Sequence, residues 1–203
     1  MKDKTVLNWT QELASKEGKY TGGSAASVVA AISTSLARFI FNLQAGKEKY
    51  KEKEDQIQEG IKKANQLNQD LLELSEIDAE AFDPVLPLYK LPRDTEEEKK
   101  IREKKIDEGL MHASEPPFKM IVKMEETVDL YQQLIELELK GTIAQDITIG
   151  LNIAIAAIES AKISSMINVE GISNKELKTK KTEEVMNQYR KTLNKAEKLL
   201  KQS

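Results

Sequence analysis

The chain has no cysteine, so no disulfide can staple it and no thiolate can bind a metal. His112 is its single histidine, which removes histidine-cluster zinc sites and leaves a Ser-His-Asp triad little to be built from. Set among Lys105, Asp107 and Glu108, it reads as a surface residue. Aromatics are only 5% of the 203 residues, with 5 prolines and 9 glycines. Strand and turn formers are therefore scarce, and the Lys, Glu, Leu, Ile and Ala that dominate favour helix. Charged residues are 32% of the chain yet net only -3, so no field of one sign exists to draw in nucleic acid. No apolar leader opens the chain, and the one long apolar run carries Arg38 and Asn42 and is expected to fall short of a membrane span. The expectation is one helical domain over residues 1–203, soluble and cytoplasmic, with neither membrane nor nucleic acid as partner.

Helical spacing of apolar residues recurs along the chain. Residues 4–16 carry Val6, Leu7, Trp9 and Leu13, and Gly18 ends that segment. A helix over 28–43 holds Ala30, Ala31, Ile32, Leu36, Ala37, Phe39, Ile40 and Phe41, apolar almost all round and hence central. A long stripe follows through Ile57, Ile61, Ala64, Leu67, Leu71 and Leu74, continuing to Asp78, Ala81 and Phe82 before Pro84 and Pro87 end it. Residues 88–93 read as a loop, and Asp94 with Glu97 as the cap of a helix over 95–112. Ser114 before Pro116-Pro117 predicts the start of a separate helix with Ile121, Met124, Val128, Tyr131, Leu134 and Leu137 inside. Thr182 opens a final amphipathic helix to Leu200, while the charged tracts 95–105 and 175–184 are expected to be solvated faces.

One segment carries two signals. Ile147, Ile149, Leu151, Ile153 and Ile155 alternate with smaller or polar residues, the period of a strand. Nothing else reads as a strand, so its backbone groups would lack partners. The segment is therefore expected to be a second buried helix, 143–165, whose Gly150, Ala154, Ala156, Ala157 and Ala161 allow close approach. Two apolar helices inside several amphipathic ones make an all-α, up-and-down bundle.

Candidate chemistry gathers at few positions. Tyr20-Thr21-Gly22-Gly23-Ser24-Ala25-Ala26-Ser27 opens the first apolar helix with a glycine pair and an N-cap serine. Unsatisfied N–H groups beside bare glycines can hold an anionic or carbonyl-bearing ligand, although a tight turn feeding a core helix explains the same residues. Asp78 stands on the apolar stripe, where an unpaired carboxylate is costly; it serves either chemistry or another helix's polar groups. Asp146 begins the second apolar helix, where the helix dipole alone favours an acid. Asn42 and Asn168 close the two apolar helices as caps or contacts.

Taken in order, Tyr20-Thr21-Gly22-Gly23-Ser24-Ala25-Ala26, Asn42-Leu43 with Gly46-Lys47 and Tyr50, Asp78-Ala79-Glu80-Ala81-Phe82, and Lys90-Leu91-Pro92 before an acidic helix resemble the cyclodeaminase/cyclohydrolase family of folate enzymes. That family includes the C-terminal domain of formiminotransferase-cyclodeaminase and stand-alone methenyltetrahydrofolate cyclohydrolases. The resemblance runs from about residue 5 to about 180. It implies an all-helical homodimer with a folate pocket near the glycine turn and no metal or redox cofactor. Asp78 and Asp146 would be catalytic, and Gly22, Gly23, Ser24, Asn42, Phe82 and Asn168 would bind substrate. Two glycines stand where the family usually has a proline-framed run of three, and Gly141-Thr142-Ile143-Ala144-Gln145-Asp146 is a shortened form of its Gly-Asn and Ser-Asp segment.

The implied reactions share one centre. Hydrolysis of a 5,10-methenyl bridge adds water to a cationic amidinium carbon and releases a ring nitrogen, giving 10-formyltetrahydrofolate. A carboxylate stabilises the cation, takes the water proton and returns one to the leaving nitrogen. In cyclodeamination of formiminotetrahydrofolate the folate nitrogen attacks instead and ammonia leaves. These 203 residues carry no formiminotransferase segment, which tilts the expectation to the cyclohydrolase. The alternative of another class is a non-catalytic folate-binding or helical interaction protein.

Overall fold

The structure, a computed structural model, describes residues 4–203, and no strand occurs among them. Five long helices alternate in direction: α2 (Gly22–Gln44), α3 (Glu54–Ala81), α4 (Glu96–Ile135), α5 (Thr142–Glu170) and α6 (Lys175–Leu200), preceded by the short α1 (Val6–Ala14). Segment 147–155 lies within α5, so its strand-like alternation does not produce a strand. Cross-helix bonds fix the directions. Ser24 meets Asp78 while Asn68 donates to the Ala31 carbonyl at 3.0 Å, which sets α2 and α3 antiparallel. The Ser33 hydroxyl donates to the Gly150 carbonyl at 2.9 Å, and the start of α2 meets the end of α5 at Gly23 and Ser164, so this pair is antiparallel too.

The core follows the stripes. Ile57, Ala64, Leu67 and Leu71 of α3 and Met120, Ile121, Met124, Val128 and Tyr131 of α4 enclose α2 and α5 on most sides. Tyr131 crosses α5 at Gly150, where a Cβ would collide with its phenol ring, and its hydroxyl donates to the Ser33 carbonyl at 2.6 Å. Enclosure is nevertheless incomplete. Ile32, Phe39 and Leu43 of α2 and Ile149, Ile163 and Ile167 of α5 are exposed, because the neighbouring helices leave one side of each apolar helix uncovered. Both helices are also long and apolar enough to cross a bilayer, contrary to the expectation that the apolar run falls short. In this bundle α2 buries serines and threonines that bond across to other helices, as Thr34 does to Thr127 at 3.0 Å.

Several boundaries differ from expectation for local reasons. The helices expected on either side of Ser114 are one, the 40-residue α4, with Pro116 and Pro117 inside it. Pro117 has no N–H to offer the Ala113 carbonyl, and the side-chain amide of Asn168 donates to that carbonyl instead, at 3.0 Å. The cap of α4 is Thr95 with Glu98, one residue later than Asp94 and Glu97; hydroxyl and carboxylate each bond the other's backbone N–H. Helix α6 starts at Lys175, seven residues before Thr182, where the Asn174 side chain accepts from the N–H groups of Glu176 and Leu177. Its charged beginning is not wholly wet: Lys181 is buried, paired with Glu115 and with Glu184 at 2.9 Å. Residues Leu86–Lys90 form a 3-10 turn rather than open loop, and His112 is on the surface as expected.

Candidate active site

One end of the bundle brings together the first turn of α2, the last turn of α3 and the last turns of α5. A cavity of about 500 Å³ opens there. Thr21, Gly22 and Gly23 line one wall, Asp78, Ala81 and Phe82 a second, and Ser160, Ile163, Ser164, Ile167 and Asn168 a third, with Ala113 at the back. The lining is mostly apolar, and Asp78 is its only ionisable side chain among the described residues.

Asp78 reaches this place because the α3 stripe, spaced Leu67, Leu71, Leu74 and Asp78, carries its inner face to the end of the helix. The residue is 9% exposed. The Thr21 hydroxyl donates to Oδ2 at 2.9 Å and the Ser24 hydroxyl to the same oxygen at 3.1 Å, with the Ser24 backbone N–H adding a third donor. Burial pushes the carboxyl above the ordinary aspartate value of 3.8, and the bonds from Thr21 and Ser24 only partly oppose it. The result is a carboxylate that holds a proton more readily than a surface aspartate does.

The strap before α2 is bolted to α3 on both sides of Asp78. Lys19 pairs with Glu76 at 2.8 Å and Glu80 at 3.1 Å, and the Tyr20 hydroxyl donates to Glu76 at 2.7 Å. Trp9 of α1 packs on Tyr20 with ring centroids 5.1 Å apart, and Ala79 completes that cluster. Thr21 is thereby held over Asp78.

The glycine turn works differently from its sequence reading. Ser24 is not the N-cap; Thr21 occupies that position, and Ser24 sits inside the helix on Asp78. Neither Gly22 nor Gly23 uses positive φ, which among the described glycines belongs to Gly46 and Gly141. Gly23 is required by close approach: a Cβ there would stand 2.5 Å from Ser164 Oγ, 2.6 Å from Asp78 Oδ2, and closer still to Oδ1. A Cβ on Gly22 would meet nothing within 4 Å. At the helix start the Ser24 N–H and the Thr21 and Ser24 hydroxyls serve the protein's own carboxylate.

Of the residues singled out in sequence, Gly22, Gly23, Asp78, Phe82 and Asn168 line this cavity and Ser24 bonds the carboxylate inside it. Asn42 and Asp146 lie elsewhere. Asn42 is exposed at the far end of α2, 19 residues beyond Gly23 and about 28 Å away along the axis. Asp146 is half-buried near the start of α5, which the antiparallel packing puts at that same far end. The amide nitrogen of Asn168 donates to the Ala113 carbonyl at 3.0 Å and to the Ser164 carbonyl at 3.4 Å, so its oxygen is the atom left to face a ligand. Thr21, Ser160, Ser164, Ile163 and Ile167 were not singled out. A signal existed for two of them, since Ser160, Ser164 and Asn168 repeat every four residues on one face of an otherwise apolar helix.

Helices α2 to α5 around a buried carboxylate define an all-α enzyme-like pocket rather than a scaffold. The formiminotransferase-cyclodeaminase family model matches residues 5–188, and the chain belongs to that family. It is 31% identical over 175 residues to the methenyltetrahydrofolate cyclohydrolase of Methylorubrum extorquens, covering 85% of this chain and 83% of that one. It is 27% identical over 166 residues to the formimidoyltransferase-cyclodeaminase of Gallus gallus, matching 81% of this chain but 30% of that longer protein. The solved formiminotetrahydrofolate cyclodeaminase of Thermotoga maritima shares the fold, with a TM-score of 0.80 at 21% identity over 98% of this chain and 97% of that one.

Proposed function

We propose that the protein hydrolyses 5,10-methenyltetrahydrofolate to 10-formyltetrahydrofolate at Asp78. The observation that carries this is a single buried carboxylate, raised in proton affinity, facing an apolar cavity large enough for a pterin and its aryl substituent. Likeness to the Methylorubrum extorquens cyclohydrolase along most of both chains supports it. The substrate is a cation, and a desolvated carboxylate attracts it more strongly than one in water. Asp78 accepts a proton from water as the C–O bond forms, leaving a neutral hydroxyl adduct. It then gives the proton to the departing ring nitrogen as that C–N bond breaks, and the adduct hydroxyl releases its proton as the formyl C=O forms. One proton is released per turnover and no oxidation state changes, so the step runs on acid–base chemistry without a redox cofactor.

We also propose a homodimer, with a second copy covering the exposed side of α2 and α5. Ile149, Ala156, Ser160, Ile163 and Ile167 run along α5 in steps of three, four and seven, a seam free of charge. Ser160, Ile163 and Ile167 also line the cavity, so a partner on this seam closes its open side. With the two-fold axis perpendicular to α5, the partner's Asn42 and Asp146 come to the cavity that their own chain holds about 28 Å away. Ile163→Asp should then yield a monomer by light scattering with turnover lost.

An absorbance assay of purified protein with methenyltetrahydrofolate, run beside formiminotetrahydrofolate, tests the activity. Loss of the methenyl absorbance faster than in buffer is expected. Ammonia release from the formimino compound alone would make the protein a cyclodeaminase, and calorimetric folate binding without either reaction would make it a non-catalytic binding protein.

A further inference from the structure

Three hydroxyls line the cavity, and two are already engaged. Thr21 donates to Asp78 Oδ2, and Ser160 donates back to the Ala156 carbonyl of its own helix at 2.8 Å. Ser164, one turn further along α5, makes no hydrogen bond with its hydroxyl among the described residues, either to its helix or to Asp78. It is half-buried, so it faces the cavity rather than bulk solvent. Gly23 has no side chain to hold it away from Asp78. Ser164 Oγ and Asp78 Oδ1 both lie within 2.5 Å of the point where a Cβ of Gly23 would stand. Two such oxygens are at most about 5 Å apart, a span that one water bridges with hydrogen bonds of roughly 2.8 Å to each. Both side-chain hydroxyl donors to Asp78 are on Oδ2, so Oδ1 is the carboxylate oxygen with no hydroxyl on it.

We propose that Ser164 holds the attacking water against Asp78, a positioning role that rests on the hydrolytic reading above. The water gives one hydrogen to Asp78 Oδ1 and the other, as a hydrogen bond only, to Ser164 Oγ. Its lone pair then points at the amidinium carbon. When the C–O bond forms, one proton passes to Asp78; Ser164 neither gains nor loses a proton and remains bonded to the new hydroxyl. Gly23 is part of the same device, because a side chain there would push Ser164 and Asp78 out of the places from which they share a water on the cavity side.

Ser164→Ala and Ser164→Thr separate this from a structural role. Alanine removes the hydroxyl and threonine keeps it. Ser164→Ala should lower kcat for methenyltetrahydrofolate hydrolysis roughly tenfold, the loss of one directed hydrogen bond in the transition state. KM and Tm should stay close to wild type, since the hydroxyl makes no hydrogen bond to the protein and in this reading bonds the water rather than the folate, and Ser164→Thr should recover most of kcat. If wild type hydrolyses the substrate and Ser164→Ala keeps kcat within twofold, or loses it only together with Tm and KM, the water-holding role is wrong while the hydrolytic reading stands. If wild type shows no hydrolysis, both go.

Discussion

Replacing Gly23 with alanine tests the site at its tightest point. The added Cβ would sit inside 3 Å of Ser164 Oγ and of both carboxylate oxygens of Asp78. The carboxylate cannot simply swing away, since Thr21 and Ser24 hold it. Forcing an atom into filled space costs about 1–3 kcal/mol, and replacing a helical glycine returns up to about 1 kcal/mol. The net loss is thus about 0–3 kcal/mol, a fall in Tm of no more than roughly 12 °C for a chain of this size. Function should suffer far more, because relieving the overlap moves the carboxylate by about 1 Å and a misplacement of that order costs roughly 100-fold in rate. Gly22→Ala is the control for stability. Its Cβ meets nothing, so Tm should hold or rise slightly. Circular dichroism melts with methenyltetrahydrofolate turnover measure both. Full activity in folded Gly23→Ala, or equal destabilisation by the two alanines, would refute the packing argument.

Asp78→Asn should lower turnover ~10²–10⁴-fold with the fold intact. Because burial raises the native carboxyl above 3.8, its favourable contribution to stability is complete below that value and is lost as pH rises through the native one. Asp78→Asn should therefore raise Tm at pH 7, with the gain shrinking to nothing as pH falls below about 3.8; a marked drop in Tm at pH 7 with near-normal turnover would make the carboxylate structural. Asn168→Ala strands the Ala113 carbonyl and should cost about 1–3 kcal/mol in urea unfolding. Adding Pro117→Ala should restore much of that, since the new N–H takes the carbonyl, and strictly additive losses would show that Asn168 does not stand in for the proline.

The all-helical bundle was legible because apolar spacing is a local property, repeated every three or four residues in each long segment. The strand-like alternation of Ile147 to Ile155 was correctly overruled by the want of any partner strand. Asp78 was legible for the same reason: a carboxylate on the buried stripe after Leu71 and Leu74 stands out without any coordinates.

Other features depend on atoms far apart in the chain. Proline chemistry at Pro116 and Pro117 announces a helix break, and only a side chain 51 residues later cancels it by taking the orphaned carbonyl. Nothing local to Lys181 says that Glu115 waits opposite, so the start of α6 looked wet. The glycine turn read as a ligand cradle because its donors were unassigned in sequence; folding gives the Ser24 N–H and the Thr21 and Ser24 hydroxyls to Asp78. The antiparallel course of α2 and α5 sends Asn42 and Asp146 to one end and Gly23, Asp78 and Asn168 to the other. Periodicity along a chain determines which face of a helix is buried. What meets that face, and at which end, is decided by the packing of whole helices, and so the composition of the cavity belongs to the tertiary structure alone.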